Sequence, residues 1–390
     1  MKFLSRFLVP FYIVTIFCLF LYSYTQVDLS LTLSRFSIWQ TVEKSFQYIG
    51  YFQRPLSTYL FIGILLALFL CSILFMVLAK KQKISRRVIW GLIIFTAVVL
   101  TFSYNAFSYD LFNYIFDAKI VTHYFQNPYL HKALDFPQDP MLSFMHWVER
   151  TYPYGPVWLL VTVPVSFIGL QYFLLTFYLF KLLASISYVV TAWCIEKVLK
   201  KTNSSQSIFG LSLFAFSPLV IIEGLVSGHN DMVMVVFAAL ALLTFVNKKS
   251  VWSFLLLFLS IGIKFATAIL LPLWIIGFLI KKKGDLQQLA VVSFMLLIIP
   301  VVVASLRTNF QPWYLLFLFP FAALFPKRIE IIAGFSLFSF ASLLQYIPFL
   351  LTGNWDKPIP SILSIMLWSS LVISIGLGLT VWLFHIAKKR

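Results

Sequence analysis

Within "SYDLFNYIFDAK", Asp110, Asn113, Tyr114 and Asp117 fall at i, i+3, i+4 and i+7, which places all four on one face of a helix. Leu111, Phe112, Ile115 and Phe116 fill the other face. Such paired carboxylates can serve as general acid or base, or simply form a solvated polar face. Asp110 stands out because it directly follows a long apolar run, where a side chain meets both water and lipid.

A second knot lies downstream. Glu223, His229, Asn230 and Asp231 crowd into nine residues around the turn "SGHND", residues 227–231. These groups can bind a sugar hydroxyl, a phosphate or a metal, although neither His-x-x-x-His spacing nor a carboxylate cage is present. Asp231 also opens an apolar run, where a helix dipole stabilises a carboxylate and free amides invite a cap. Lys264 sits inside "VWSFLLLFLSIGIKFATAILLPLWIIGFLIKKK". A charge there costs at least about 2.5–3.5 kcal/mol in a bilayer, which makes a functional cavity the default reading. Lys181 raises the same question, and either lysine could instead snorkel or bind a carbonyl.

The surrounding elements follow from composition. Of 390 residues 61% are hydrophobic and 11% charged, 43 are Phe, and mean hydropathy is +0.93. This is an all-α, polytopic integral membrane protein, a single transmembrane domain over 1–390 without room for a sizeable soluble domain. The net charge of +17 does not point to nucleic acid. Twenty of the 30 Lys and Arg residues gather at loop spacing, in Lys2/Arg6, "KKQKISRR", "KVLKK", Lys248/Lys249, "KKK" at 281–283, Lys327/Arg328 and the terminal "KKR". By the positive-inside rule these loops and both termini are cytoplasmic.

Apolar runs give about twelve crossings, near 7–24, 58–79, 88–107, 171–196, 208–226, 231–247, 251–263, 265–280, 286–305, 313–325, 330–350 and 361–386. The first reads as a retained anchor, since "LYSYTQV" lacks a small-residue cleavage site. The run 251–280 is bounded by cytoplasmic charge at both ends and is expected to form two half-length helices meeting near Gly262 and Lys264. Such a break needs protein or a wet cavity around it. "PVWLLVTVPVSFIGL" is too short to span and holds Pro164, so it reads as an outer-leaflet helix.

With this topology only Glu196, Asp285 and Glu330 face the cytoplasm. The other acids, and every histidine except His385, lie on the outer side. The long extracytoplasmic loop, 108–170, is expected to carry interfacial helices, one around Asp110 and a second capped by Asp139 ahead of Pro140. Its "QNPYL" and "TYPYGPVW" segments, with Asn127, Tyr129 and Tyr154, are proline-fixed turns with interfacial tyrosines. Cys18, Cys71 and Cys194 all lie in apolar runs, which offers neither a disulfide framework nor a metal cluster.

The ordered set "YDLFNYIFDAK", "NPY", "YPYGPVW", "SGHND", "GIKFATAILLP" and "QPWYLLFLFP" resembles the bacterial polyprenyl-phosphate-sugar-dependent glycosyltransferases of the C superfamily, especially the alpha-mannosyltransferases. The resemblance runs from about residue 88 to 325. It implies a hexosyltransferase, with mannose the leading sugar, working at the outer face of the cell membrane on a lipid-linked or glycan acceptor. Asp110 becomes the catalytic base of an inverting single displacement. Tyr114, Asp117, Asn127, Tyr129, Tyr154, Glu223, His229, Asn230, Asp231, Trp313 and Tyr314 become substrate ligands, and Lys264, Arg307 or Lys119 would offset the phosphate. The chain departs from the commoner pattern at "DAK", where many relatives carry Gly-Arg. No cofactor beyond the donor is called for, though a divalent metal bridging phosphate to Asp117 or Asp231 stays open. No Gly-rich loop for a nucleotide sugar is present. The competing class is a transporter or flippase of a lipid-linked sugar, which broken helices and a buried Lys would also suit. Against it stand the absence of an inverted repeat and the gathering of acids on one face.

Overall fold

A computed structural model describes residues 2–280 and 286–388; the basic run at 281–283, Asp285 and the last two residues fall outside them. The described chain is helical, with one isolated bridge between Lys132 and Thr151. Its helices are α1 (Lys2–Ser23), α2 (Ser37–Gln47), α3 (Arg54–Lys80), α4 (Arg86–Thr101), α5 (Asp110–Thr122), α6 (Pro156–Ile168), α7 (Phe173–Thr202), α8 (Ser207–Ala215), α9 (Asp231–Val246), α10 (Ser250–Ile263), α11 (Leu271–Ile280), α12 (Leu286–Thr308), α13 (Phe319–Ala322), α14 (Ile329–Leu343), α15 (Tyr346–Thr352) and α16 (Ile359–Ala387).

All twelve apolar segments are helical, but fewer are long enough to cross a bilayer. Among the described residues six helices meet that length and composition, and a seventh does if Ser204–Ala215 and Val220–Val226, bent by 60°, form one span. The shortfall has a physical reason. At 1.5 Å per residue the 16-residue α9 and 14-residue α10 reach only about 24 and 21 Å, short of roughly 30 Å of hydrocarbon. Helix α9 is also central: it packs between α7 and α10 and is buried along most of its length. By contrast α16 packs chiefly on α14 and exposes Ile365, Trp368, Val372 and Ile373, an apolar face suited to lipid.

The bundle has two chemically distinct ends. At one, Glu196 on α7 has no exposed side-chain surface and receives Arg86 through Nε at 2.5 Å and Nη2 at 2.9 Å. Lys200 lies 3.0 Å away and Trp90 Nε1 donates at 3.0 Å. Lys201 reaches Asn247. Three basic loops, around 80–87, 197–201 and 247–249, therefore share this end. The first residues of α5, α7 and α9 lie at the other.

The long loop is packed protein, and α5 is no surface helix. Leu111, Phe112, Asn113, Tyr114, Ile115 and Phe116 are all buried, enclosed by α6, α7 and the aromatic cluster of Phe144, Phe173 and Phe177. The second expected helix is a four-residue 3-10 turn, Pro140–Ser143, whose cap Asp139 accepts from the Met141 amide at 2.9 Å. The 13-residue α6 starts at Gly155, which approaches α10 so closely that its amide donates to the Ile263 carbonyl at 3.1 Å. A Cβ on Gly155 would stand 2.1 Å from the Gly262 carbonyl oxygen, and one on Gly262 would meet Val157 at 2.4 Å. This crossing fixes where α10 ends and hence where Lys264 emerges.

Substituting Gly155→Ala should force α6 from α10 and cost about 1–3 kcal/mol, the range for overpacking. The readout is a lower Tm in detergent, with Gly63→Ala, which would meet nothing within 4 Å, as the unchanged control. Equal Tm values for both variants would refute the crossing.

Candidate active site

Three local features bring the acids together. Helix α5 begins at Asp110, where Ser108 Oγ accepts the Asp110 amide at 3.2 Å. The preceding Tyr109 is anchored by stacking on His146, centroids 3.8 Å apart, and by donating to Asp28 at 2.9 Å. The chain after α8 widens into a π-helical turn, Val220–Val226, and then reverses through Gly228 at φ +69°, a left-handed conformation that glycine adopts at little cost. A Cβ there would lie 3.5 Å from Leu111, so the turn rests on the start of α5. Third, α10 breaks at Lys264, whose backbone is extended (φ −151°, ψ 127°) before the 3-10 segment Phe265–Leu270.

The result is a charged cluster in an apolar frame. His229 Nδ1 lies 3.6 Å from Asp110 Oδ2, and its Nε2 lies 3.3 Å from Glu223 Oε2. The His229 and Glu223 side chains are wholly buried, while Asp110 keeps 16% of its side-chain surface exposed. The remaining Glu223 oxygen accepts from the Tyr346 hydroxyl at 2.8 Å. Trp313 stacks on the His229 ring, centroids 4.3 Å apart at 21°. Asp231, fully buried, holds Lys264 with both oxygens at 2.9 Å, so it forms an ion pair rather than capping its helix. Tyr114 donates to Asn230 Oδ1 at 3.4 Å and packs edge-on against Tyr154 at 5.3 Å.

Arg150, which no sequence pattern singles out, completes the cluster. Its Nη2 lies 3.9 Å from Asp110 Oδ1 and 3.4 Å from the Tyr154 hydroxyl. Tyr346 is the other residue missed, an aromatic in an apolar run 123 positions beyond Glu223. Burial pushes the Asp117 carboxyl up to about 7; Arg150 opposes the shift and Asp110 adds to it. Burial, then the Tyr154 and Asp110 charges, push the Tyr114 phenol far above its ordinary value, and burial with the Asp110 charge does the same for Tyr154, so both stay hydrogen-bond donors.

Several candidates are placed elsewhere. Lys119 pairs with Asp139, nine residues and half a helical rotation from Asp110. Burial would raise the Asp139 carboxyl, but Lys119, the Tyr124 hydroxyl and the Met141 amide hold it below the usual range, so the Lys119 ammonium is engaged by Asp139. Asn127 closes an Asx turn, accepting from the Tyr129 amide at 3.0 Å. Tyr129 donates to the Tyr154 carbonyl at 3.2 Å and so braces the turn without touching the acids. Arg307 is exposed at the end of α12 and joins none of these acids. Tyr314 shares a 2.8 Å hydrogen bond with Thr308 and reaches the cluster only through its neighbour Trp313. Lys181 is spoken for: its ammonium binds the Leu225 and Val226 carbonyls and Ser103 Oγ, satisfying the end of the π turn. Among the described residues no group of three His, Cys, Asp or Glu side chains is placed to hold a metal ion.

The described helices form an apolar bundle with lengths suited to a membrane, and carboxylates, a sealed histidine and two cations gather at one of its ends. The alpha-(1→6)-mannopyranosyltransferase N-terminal domain family matches residues 29–280, well over half of the chain, and the protein belongs to that family. The match holds Asp110, the "SGHND" turn and Lys264, starts well before the motif set of the sequence reading and stops short of Trp313 and Tyr346. Alpha-(1→6)-mannopyranosyltransferase A of Corynebacterium glutamicum is 29% identical over 166 residues, covering 40% of this chain and 34% of that protein. The matched stretch is thus about a third of the curated relative's length. No solved structure matches the chain.

Because the folded Asp117 carboxyl titrates above its unfolded value of 3.8, the unfolded chain loses this proton first as pH rises. Stability from this group is greatest below about pH 4 and is lost as pH climbs to about 7. Asp117→Asn removes the titration, so its Tm relative to wild type should rise between pH 5 and 8; the same difference at both pH values would contradict it.

Proposed function

We propose that this protein is a membrane mannosyltransferase that moves mannose from a polyprenyl-phosphate donor to a lipid-linked or glycan acceptor at the extracytoplasmic face. The observation that carries the reading is Asp110, a carboxylate at the rim of the cluster with partial access to solvent, flanked by Arg150 and near the Lys264 end of α10. A lipid-phosphate sugar already has an activated anomeric carbon. The enzyme must therefore take a proton from the acceptor hydroxyl and stabilise the departing phosphate.

Asp110 takes that proton as the hydroxyl attacks the opposite side of C1, an inverting single displacement. Arg150 (39% exposed) and Lys264 (27% exposed) are the cations with both proximity and access, and they offset the charge on the leaving phosphate. They pair with Asp110 and Asp231, so donor binding exchanges one set of anions for another. Mannose is supported by the family description and by the name of the relative. The outer face is supported by the basic loops gathered at the opposite end of the bundle.

The experiment is transfer of radiolabelled mannose from polyprenyl-phosphate mannose in membranes carrying wild type or Asp110→Asn. Loss of a base of this kind should lower transfer by at least about a hundredfold. Donor binding without transfer to any acceptor, equal in both proteins, would favour a lipid-sugar carrier instead.

A further inference from the structure

The histidine behind Asp110 is held in a way that a packing role does not require. Its ring has no solvent access, and it lies between carboxylate oxygens at 3.6 Å on Nδ1 and 3.3 Å on Nε2. Neither contact is aligned as a hydrogen bond, and His229 Nδ1, His229 Nε2 and Glu223 Oε2 are left as buried polar atoms without a bonded partner. Unpaired groups of this kind are expensive in an apolar interior.

Glu223 settles the tautomer. Its Oε1 is taken by Tyr346, so Oε2 needs a donor, and the nearest is His229 Nε2. A neutral imidazole has one N–H. With that proton on Nε2, Nδ1 carries the lone pair, and it faces Asp110 Oδ2. Trp313, stacked on the ring, prevents it from turning away. The charged groups around this line are Asp110 with Arg150 beyond it, Glu223 backed by Tyr346, and the Asp231–Lys264 pair two residues along the chain.

Resting on the transferase reading, we infer that His229 is a positioning residue that relays the acceptor proton from Asp110 inward to Glu223. The acceptor O–H bond breaks as its oxygen bonds to C1, and the C1–O bond to phosphate breaks with the electron pair leaving on phosphate. The acceptor proton reaches Asp110 Oδ2 and is handed to His229 Nδ1 in the same transition state in which the Nε2 proton passes to Glu223 Oε2. Asp110 is thereby ionised again while the product is still bound. After release the same line returns the proton outward through Asp110, whose side chain alone in the triad is open to solvent. As in a catalytic triad a carboxylate fixes the histidine tautomer behind the reacting group; unlike the triad carboxylate, Glu223 ends by holding the proton.

The test is a proton inventory, the transfer rate measured across mixtures of H2O and D2O, on wild type, His229→Gln, Glu223→Gln and Asp110→Asn. Two protons in flight give wild type a curved inventory. His229→Gln should lower kcat about a hundredfold, leave the donor KM unchanged and make the inventory linear. Glu223→Gln, which can still accept from Tyr346 but cannot take a proton, should also give a linear inventory, and it carries the test if the histidine variant fails to fold. Folded variants with a curved inventory and kcat within about twofold of wild type, alongside an inactive Asp110→Asn, would overturn the relay and leave the transferase reading standing. Full transfer by Asp110→Asn would instead remove the reading on which the relay rests.

Discussion

Glu223, His229 and Asp231 have side chains sealed from solvent at the end of an apolar bundle, and the rest of the fold can be read as the means of keeping them there. A buried carboxylate is tolerable only when paired and hydrogen-bonded. Here each partner comes from a distant part of the chain. Lys264 arrives because α10 stops short and its backbone extends. Tyr346 arrives at the head of α15, and Trp313 from the 3-10 segment Pro312–Leu318. The π turn that carries Glu223 leaves carbonyls that Lys181 satisfies. Short helices, broken helices and buried lysines are consequences of one electrostatic requirement.

That requirement also separates structure from reactivity. At the basic end both oxygens of Glu196 are satisfied, by Arg86, Lys200 and Trp90. At the other end the cations are partly exposed and the histidine lies between two acids without an aligned bond to either. Two clusters of similar composition thus differ in how far their groups are satisfied, and the less satisfied one is the candidate for substrate chemistry.

Much of this was legible in the sequence because charge inside apolar runs is conspicuous. Asp110, the "SGHND" turn and Lys264 each break a hydrophobic stretch, and the cost of placing them there is itself the signal. Arg150 and Tyr346 carry no such signal, since a loop arginine and an aromatic in a helix are ordinary. Lys119 and Asn127 illustrate the converse. Each has the right chemistry and lies near the right motif, but a helix turns Lys119 toward Asp139 and a proline turn occupies Asn127. The helix of Asp110 has the spacing of a surface amphipath, yet the loop after it folds back and buries both faces, a tertiary effect no local period can report. The number of crossings is harder to read, because α9 and α10 are as apolar as the longer helices but fall short of the span length.

On the proposed mechanism the cations now resting on Asp110 and Asp231 receive the donor phosphate. The most direct test is a structure of the protein with a non-transferable polyprenyl-phosphate mannose analogue. The account predicts phosphate oxygens within about 3 Å of Lys264 Nζ or Arg150, with C1 facing Asp110. An analogue bound with its phosphate at the Arg86–Lys200 end, or with Asp110 remote from the sugar, would contradict it.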